Sequence, residues 1–196
     1  MKRFFSLLVI FLTFSVFLFA QEEDDNNQQY DDDDVYVYAA NGAGDQFLTI
    51  KLGANFPLNF KGQLKTGGIA SIGYFKFFSE NLAVGAELGA SYNISIGEKV
   101  LVMLPITFGV MYQPYIGKFE FPLYAELGIA NQTWQNMEIF PTLVTKASAG
   151  VYYRITDSIS FGISTDFMWF PQWFKDSSKN FNGLFETAEI GLRYHF

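Results

Sequence analysis

Side chains able to do acid–base, nucleophilic or metal chemistry are few in this 196-residue chain: it has one histidine, His195, and no cysteine. Without a thiol there is no cysteine nucleophile, zinc–thiolate centre, disulfide or lipidated N-terminal cysteine. His195 is the one side chain with an ordinary pKa near neutrality. Its own segment offers neither a serine nucleophile nor an orienting acid, so a structural role is expected and no catalytic residue is assigned. Glu87 with Glu126 could serve general acid–base chemistry, but nothing marks a substrate cleft around them. The glycines form no phosphate-cradling loop, and an acidic chain without a basic patch gives no support for nucleic-acid binding. The run Asp31–Asp34 lacks the ligand spacing of a calcium loop. No metal or cofactor is therefore expected.

Eight further charged residues stand one at a time in otherwise apolar or small-residue stretches: Lys51, Glu87, Glu126, Lys146, Arg154, Asp166, Glu189 and Arg193. The C-terminal residues show how such charges are placed. Phe196, Tyr194, Leu192, Ile190 and Ala188 make one face, while His195, Arg193, Gly191 and Glu189 make the other. Strict alternation is the period of a β-strand.

Seven other segments share it. They are Asp45 to Phe56, Gly68 to Phe78, Leu82 to Asn93, Val100 to Tyr112, Lys118 to Ala130, Leu143 to Arg154 and Ile159 to Trp169. The third is the most regular, with Leu82, Val84, Ala86, Leu88, Ala90 and Tyr92 opposite Ala83, Gly85, Glu87, Gly89, Ser91 and Asn93. Pro105 and Pro122 fall inside strands and lack a ladder donor, so a bulge or local break is expected at each.

Segments of ~10 residues with alternating hydrophobicity, separated by turns, are what membrane-spanning strands look like. The chain is therefore expected to be all-β: an eight-stranded antiparallel up-and-down transmembrane β-barrel over 45–196. A soluble barrel would need its apolar face inward and a polar exterior. Here the non-apolar face is rich in Gly, Ser and Thr, which suits a crowded lumen. Ser79–Asn81, Gln113–Gly117 and Thr156–Ser158 read as short turns. Phe56–Thr66, Ile94–Lys99, Asn131–Phe140 and Pro171–Gly183 read as longer connections in strict alternation with them. With short turns periplasmic and long loops outside, both termini are periplasmic. Trp134, Trp169 and Trp173 then lie toward the outer surface, and Tyr74, Tyr112, Tyr115, Tyr153, Tyr194 and Phe196 toward the periplasmic interface.

On this parity the eight isolated charges point into the lumen, four of each sign. An eight-stranded barrel is just wide enough for its side chains to fill or to hold one small ligand. Charges there must pair, because an isolated buried ion costs several kcal/mol. A structural salt-bridge network that plugs the interior is expected, with a gate of alternating pairs as the rival.

The ends read differently. Lys2-Arg3, an apolar stretch Phe4–Ala20 and an abrupt polar change at Gln21 have the layout of a signal peptide over 1–20, cleaved after Ala20. Leu18 is larger than the small residue usual three places before a cut. The alternative is an uncleaved anchor, for which the apolar stretch falls just under ~18 residues. Eight of the 20 acidic residues crowd between Glu22 and Asp34, so the net charge of −7 belongs largely to this segment. Residues 21–44 are expected to be an acidic disordered segment and lead-in. Lys61, Lys65, Lys175 and Lys179 make the proposed outer loops mildly basic, and the plain reading is solvated loop lysines.

Signal segment, eight amphipathic strands, short and long connections in turn, and the ending Tyr194-His195-Phe196 resemble the small bacterial outer-membrane β-barrel superfamily, including outer-membrane protein A-like and W-like barrels. The resemblance is architectural, spans Asp45–Phe196, and rests on the hairpin Tyr74–Gly85 and the terminal strand. It implies that Tyr194 and Phe196 belong to a C-terminal signal read by the barrel-assembly machinery. Outer-membrane lipids and a surface ligand at the long loops are the other implied partners. Enzymes occur among such barrels, but with His195 lacking partners in its own strand no enzyme is expected, and a structural or surface-interaction role is the first expectation. The alternative is a narrow channel for small hydrophobic molecules, as associated with W-like barrels, with Pro105 or Pro122 breaking strand pairing to give a lateral opening.

Overall fold

The computed structural model describes residues 41–60, 63–134, 137–172 and 181–196. The expected signal segment, the acidic run, Lys61, Trp173, Lys175 and Lys179 lie outside the described residues. Ten strands follow in order: β1 (Gln46–Pro57), β2 (Gly67–Phe77), β3 (Leu82–Ile94), β4 (Val100–Tyr112), β5 (Tyr115–Ile116), β6 (Phe119–Glu120), β7 (Leu123–Trp134), β8 (Met137–Thr156), β9 (Ile159–Gln172) and β10 (Phe181–His195).

Eight long strands form the wall. Each pairs antiparallel with its sequence neighbour, β4 pairing with β7, and β10 returns to pair with β1. The closing ladder runs from Phe47↔His195 to Pro57↔Phe185. Gln46 and Phe196 exchange backbone hydrogen bonds at its end, 3.1 and 2.9 Å. Closure leaves no unpaired edge, the condition for a sheet to exist in hydrocarbon. This is the expected all-β, eight-stranded antiparallel barrel.

Alternation decides the faces. Ile50 and Leu52 are 52% and 54% exposed while Lys51 between them is 5% exposed, and Leu88 is 50% exposed beside Glu87 at 7%. Apolar side chains thus cover the outside and polar ones the inside, the reverse of a soluble barrel.

Both strand prolines interrupt a ladder without shifting it. The β3–β4 pairing steps from Leu88↔Ile106 to Ser91↔Met103, omitting Gly89 and Ala90 opposite Pro105 and Leu104. On its other side Pro105 stays paired with Ala130. At Pro122 the wall strand divides into β6 and β7, yet Glu120↔Tyr152 and Leu123↔Ala149 keep one register. A missing N–H removes ladder bonds locally, and the strands on either side hold the register. The irregularities proper lie elsewhere, between Ala130 and Gln132 and between Arg154 and Thr156.

Two connections differ from expectation. Asn131–Phe140 is no long loop: β7 and β8 continue through Gln132↔Ile139 to Trp134↔Met137. Polar residues there do not end the ladder, because β7 also stays paired with β4 up to Leu101↔Trp134. Nor does Gln113–Gly117 form a simple turn. It opens a small hairpin, Tyr115↔Glu120 and Ile116↔Phe119, turning at Gly117 with φ of 55°, where glycine carries no steric penalty. Short and long connections therefore do not alternate strictly. The remaining connections at the β1–β2 end stay longer, and two of them meet: Leu64 bridges Ser95, and Lys65 N–H donates to Ile94 O at 2.8 Å.

Candidate functional site

The barrel interior is built in layers, and the charged side chains occupy two of them. The middle layer holds Lys51 of β1 and Lys146 of β8 among four carboxylates. Lys51 Nζ lies 3.0 Å from Glu87, 3.1 Å from Asp166 and 3.5 Å from Glu189. Lys146 Nζ lies 2.6 Å from Glu87, 3.1 Å from Glu126 and 3.8 Å from Asp166. Glu126 also accepts a hydrogen bond from Thr107. Glu87 and Asp166 each touch both ammonium groups, so six side chains from β1, β3, β7, β8, β9 and β10 form one connected set across the lumen.

Every member is buried. Burying a charge costs several kcal/mol, which the mutual attraction of close ion pairs offsets only with such direct contacts. The small residues of the inner face make room for them. A Cβ on Gly53 would lie 2.8 Å from Glu189 Cγ, and one on Gly109 would lie 2.7 Å from Glu126 Cγ.

The second charged layer lies toward the end where β4 turns into β5. Arg154 of β8 pairs with Glu120 of β6 at 2.7 Å, and Arg193 of β10 reaches the same carboxylate at 3.3 Å. Arg193 is fully buried. Its guanidinium carbon stands 3.5 Å from the Tyr152 ring centroid and 4.9 Å from that of Phe47, close enough for cation–π attraction. It also donates to Gln113 at 2.8 Å and to the Tyr124 hydroxyl. A rim of Phe47, Phe75, Phe77 and Met111 packs beside this layer.

Sequence reasoning named Arg154 and Arg193 but not their shared partner, Glu120. The signal was available: Glu120 has the parity of Tyr124 and Glu126, but the alternation must be carried through Pro122 to find it. Gln113 and Asn41, whose Oδ1 accepts from Arg154 Nη2 at 2.7 Å, carry no such signal, because Gln113 lies in a connection and Asn41 ahead of β1.

His195 does have a serine partner, supplied by the neighbouring strand. Ser160 Oγ lies 2.9 Å from His195 Nε2. The wiring is wrong for a nucleophile. Arg154 Nη2 stands 3.0 Å from His195 Nδ1, and a guanidinium can only donate. The same Nη2 lies 3.4 Å from Nε2 and 2.7 Å from both Asn41 Oδ1 and Glu120 Oε1, so an arginine rather than an acid stands against the ring. A serine–histidine hydrolase needs the reverse, with Nε2 free to take the serine proton and an acid holding Nδ1–H.

At the other end of the lumen the interior is apolar. Met103, Val144, Met168, Phe170 and Phe185 are buried together beneath Leu64 and the partly buried Phe60. Phe60 and Phe185 rings lie 4.9 Å apart, so the β1–β2 connection folds inward over the mouth. On the outer wall, Tyr74, Tyr112, Tyr153, Tyr194 and Phe196 are exposed toward the opposite rim, the last two stacked at 5.9 Å. No group of three or more His, Cys, Asp or Glu able to hold a metal occurs among the described residues.

A protein-family model matches residues 23–194. An uncharacterized protein of Treponema pallidum is 28% identical over 135 residues, 69% of this chain and 61% of that protein. One of Borreliella burgdorferi is 27% identical over 137 residues, 59% of this chain and 64% of that protein. The chain thus spans less than two thirds of the length of these curated relatives. Among solved structures, Neisserial surface protein A superposes with a TM-score of 0.65 at 13% identity, over 78% of this chain and 97% of that one. The outer membrane protein OprG from Pseudomonas aeruginosa gives 0.52 at 12% identity, over 81% and 98%. At such identities the likeness is one of fold.

Proposed function

From a fold shared with small bacterial outer-membrane β-barrels, we propose that the chain is a plugged structural barrel whose working surface is the end bearing the β1–β2 connection. The carrying observation is the connected set of Lys51, Lys146, Glu87, Glu126, Asp166 and Glu189, which joins opposite walls by ion pairs of 2.6 to 3.5 Å. A solute could pass only by separating these pairs, and each buried charge left alone costs several kcal/mol. The Arg154–Glu120–Arg193 layer below and the apolar cluster above make two further closures.

Both termini of the barrel, at β1 and β10, lie at one end, as an even strand number requires. We place that end in the periplasm. The short β2–β3 and β8–β9 turns at that end support this, since periplasmic turns are the short ones. The exposed Tyr194–Phe196 pair is the natural handle for the assembly machinery. The lipids of the outer membrane contact the apolar wall, and a surface ligand would meet the connections at the opposite end. The reading is non-enzymatic: a guanidinium rather than an orienting acid stands at His195 Nδ1, and the two lumenal carboxylates nearest to acid–base use, Glu87 and Glu126, are both held by Lys146.

A second reading, a narrow path for small hydrophobic molecules, is favoured by one observation, the apolar cluster beneath Phe60 and Leu64. An apolar molecule seated there would meet the charged layer below it and gain no continuous tunnel. Planar-bilayer recording with purified full-length protein separates the two. The plug predicts no discrete conductance and no uptake of hydrophobic solutes by liposomes that carry the barrel. Steady single-channel currents or protein-dependent uptake would replace the plug with the path.

A further inference from the structure

The residues just ahead of the barrel turn back into its mouth. Gly42 N–H donates to Asp45 Oδ2 at 2.7 Å, and Asp45 N–H to Gly42 O at 3.2 Å. Gly44 between them has φ of 103°, a conformation that glycine adopts without penalty. This turn is fastened to the end of β2. Gly44 N–H donates to Phe77 O and Phe77 N–H donates to Asp45 O, both at 2.8 Å.

The result is that Asn41 is carried inward. It is 2% exposed, and its Oδ1 accepts from Arg154 Nη2 at 2.7 Å. That guanidinium already pairs with Glu120 and abuts His195. Burying an amide is costly unless it is bonded; the charge-assisted bond to Arg154 satisfies the Asn41 oxygen, while Nδ2 is buried without a hydrogen-bond partner among the described residues. Ser160 and Gln113, which belong to the same layer, are completely buried.

We propose that Asn41–Asp45 is a strap that closes the terminal mouth of the lumen, held shut by the Asn41–Arg154 hydrogen bond. It seals the arginine layer from water independently of the middle layer, so the mouth opens and closes without any rearrangement of Lys51 and Lys146. A hydrogen bond to a charged group is worth about tenfold or more in such an opening equilibrium.

The absence of native cysteine makes the test direct. In full-length protein, Ser160→Cys places a single thiol behind the strap, and its rate of modification by a charged methanethiosulfonate reads opening. The thiolate displaces sulfinate from the reagent and leaves a mixed disulfide. Slow labelling is expected with Asn41 intact. Asn41→Ala is expected to raise the rate by about tenfold or more, while Asn41→Asp, which still accepts from Arg154, keeps it slow. Equal rates with and without Asn41→Ala overturn the proposal. Should the cysteine variants not fold, amide exchange of Gly44 and Phe77 in Asn41→Ala alone replaces them. Faster exchange at both supports the strap, and unchanged exchange overturns it.

Discussion

Arg193, on the strand that closes the barrel, reaches across the lumen to Glu120, with Nη1 3.3 Å from Oε2. The two residues are 73 positions apart in sequence, and Arg154 pairs with the same carboxylate. One acid therefore pairs with two buried guanidinium groups, leaving the trio with one excess positive charge. Glu120→Gln should destabilise the folded barrel by about 3–5 kcal/mol, the cost of leaving buried charge unpaired. The midpoint of the heat-modifiable gel shift measures it. A double-mutant cycle with Arg193→Met should recover part of the loss, and strict additivity would refute the coupling.

Lys51 touches three carboxylates, Glu87, Asp166 and Glu189. Lys51→Met removes an ammonium from the middle layer and leaves all four acids with Lys146 alone. A loss of about 3–5 kcal/mol in urea unfolding is expected. Adding Glu189→Gln should return part of it, since Glu189 contacts no other ammonium group among the described ion pairs. A Lys51→Met protein as stable as the parent would mean that the layer contributes nothing to holding the barrel closed.

Gly191 leaves the space that the Tyr152 ring occupies: a Cβ there would lie 2.3 Å from the hydroxyl and 3.0 Å from Cε1. Gly191→Ala must move the ring that Arg193 stacks upon. Overpacking of this kind costs about 1–3 kcal/mol, and tyrosine fluorescence should change with it. Wild-type stability and an unaltered spectrum would place the ring elsewhere.

Pro105 leaves Gly89 and Ala90 out of the β3–β4 ladder while the register on either side is kept. Pro105→Ala restores a backbone donor at a site already aligned to use it. The amide introduced at position 105 should donate to Gly89 O and exchange slowly, and the barrel should not weaken. Fast exchange there would show that the gap has another cause than the missing N–H.

The alternation Leu48–Asn55 or Leu82–Ile94 determined by itself which residues form the apolar wall, because side chains in a strand alternate faces whatever the strand pairs with. The strand prolines likewise announced where ladders would be interrupted. What the sequence alone did not carry is anything that depends on partners across the lumen. Lys51 meets Asp166, 115 residues away, because the ladders Phe47↔His195 and Tyr194↔Ile159 set the heights of β1, β9 and β10. Glu120 became the centre of the arginine layer only once β6 paired with β8 beyond the Pro122 gap. The polar stretch Asn131–Phe140 reads as a loop in isolation, and pairing with β4 on one side made it hairpin. Ser160 and His195 look unrelated until β9 and β10 bring them to 2.9 Å. Face is a local property of backbone geometry. Partnership follows from register and closure, which exist only in the assembled barrel.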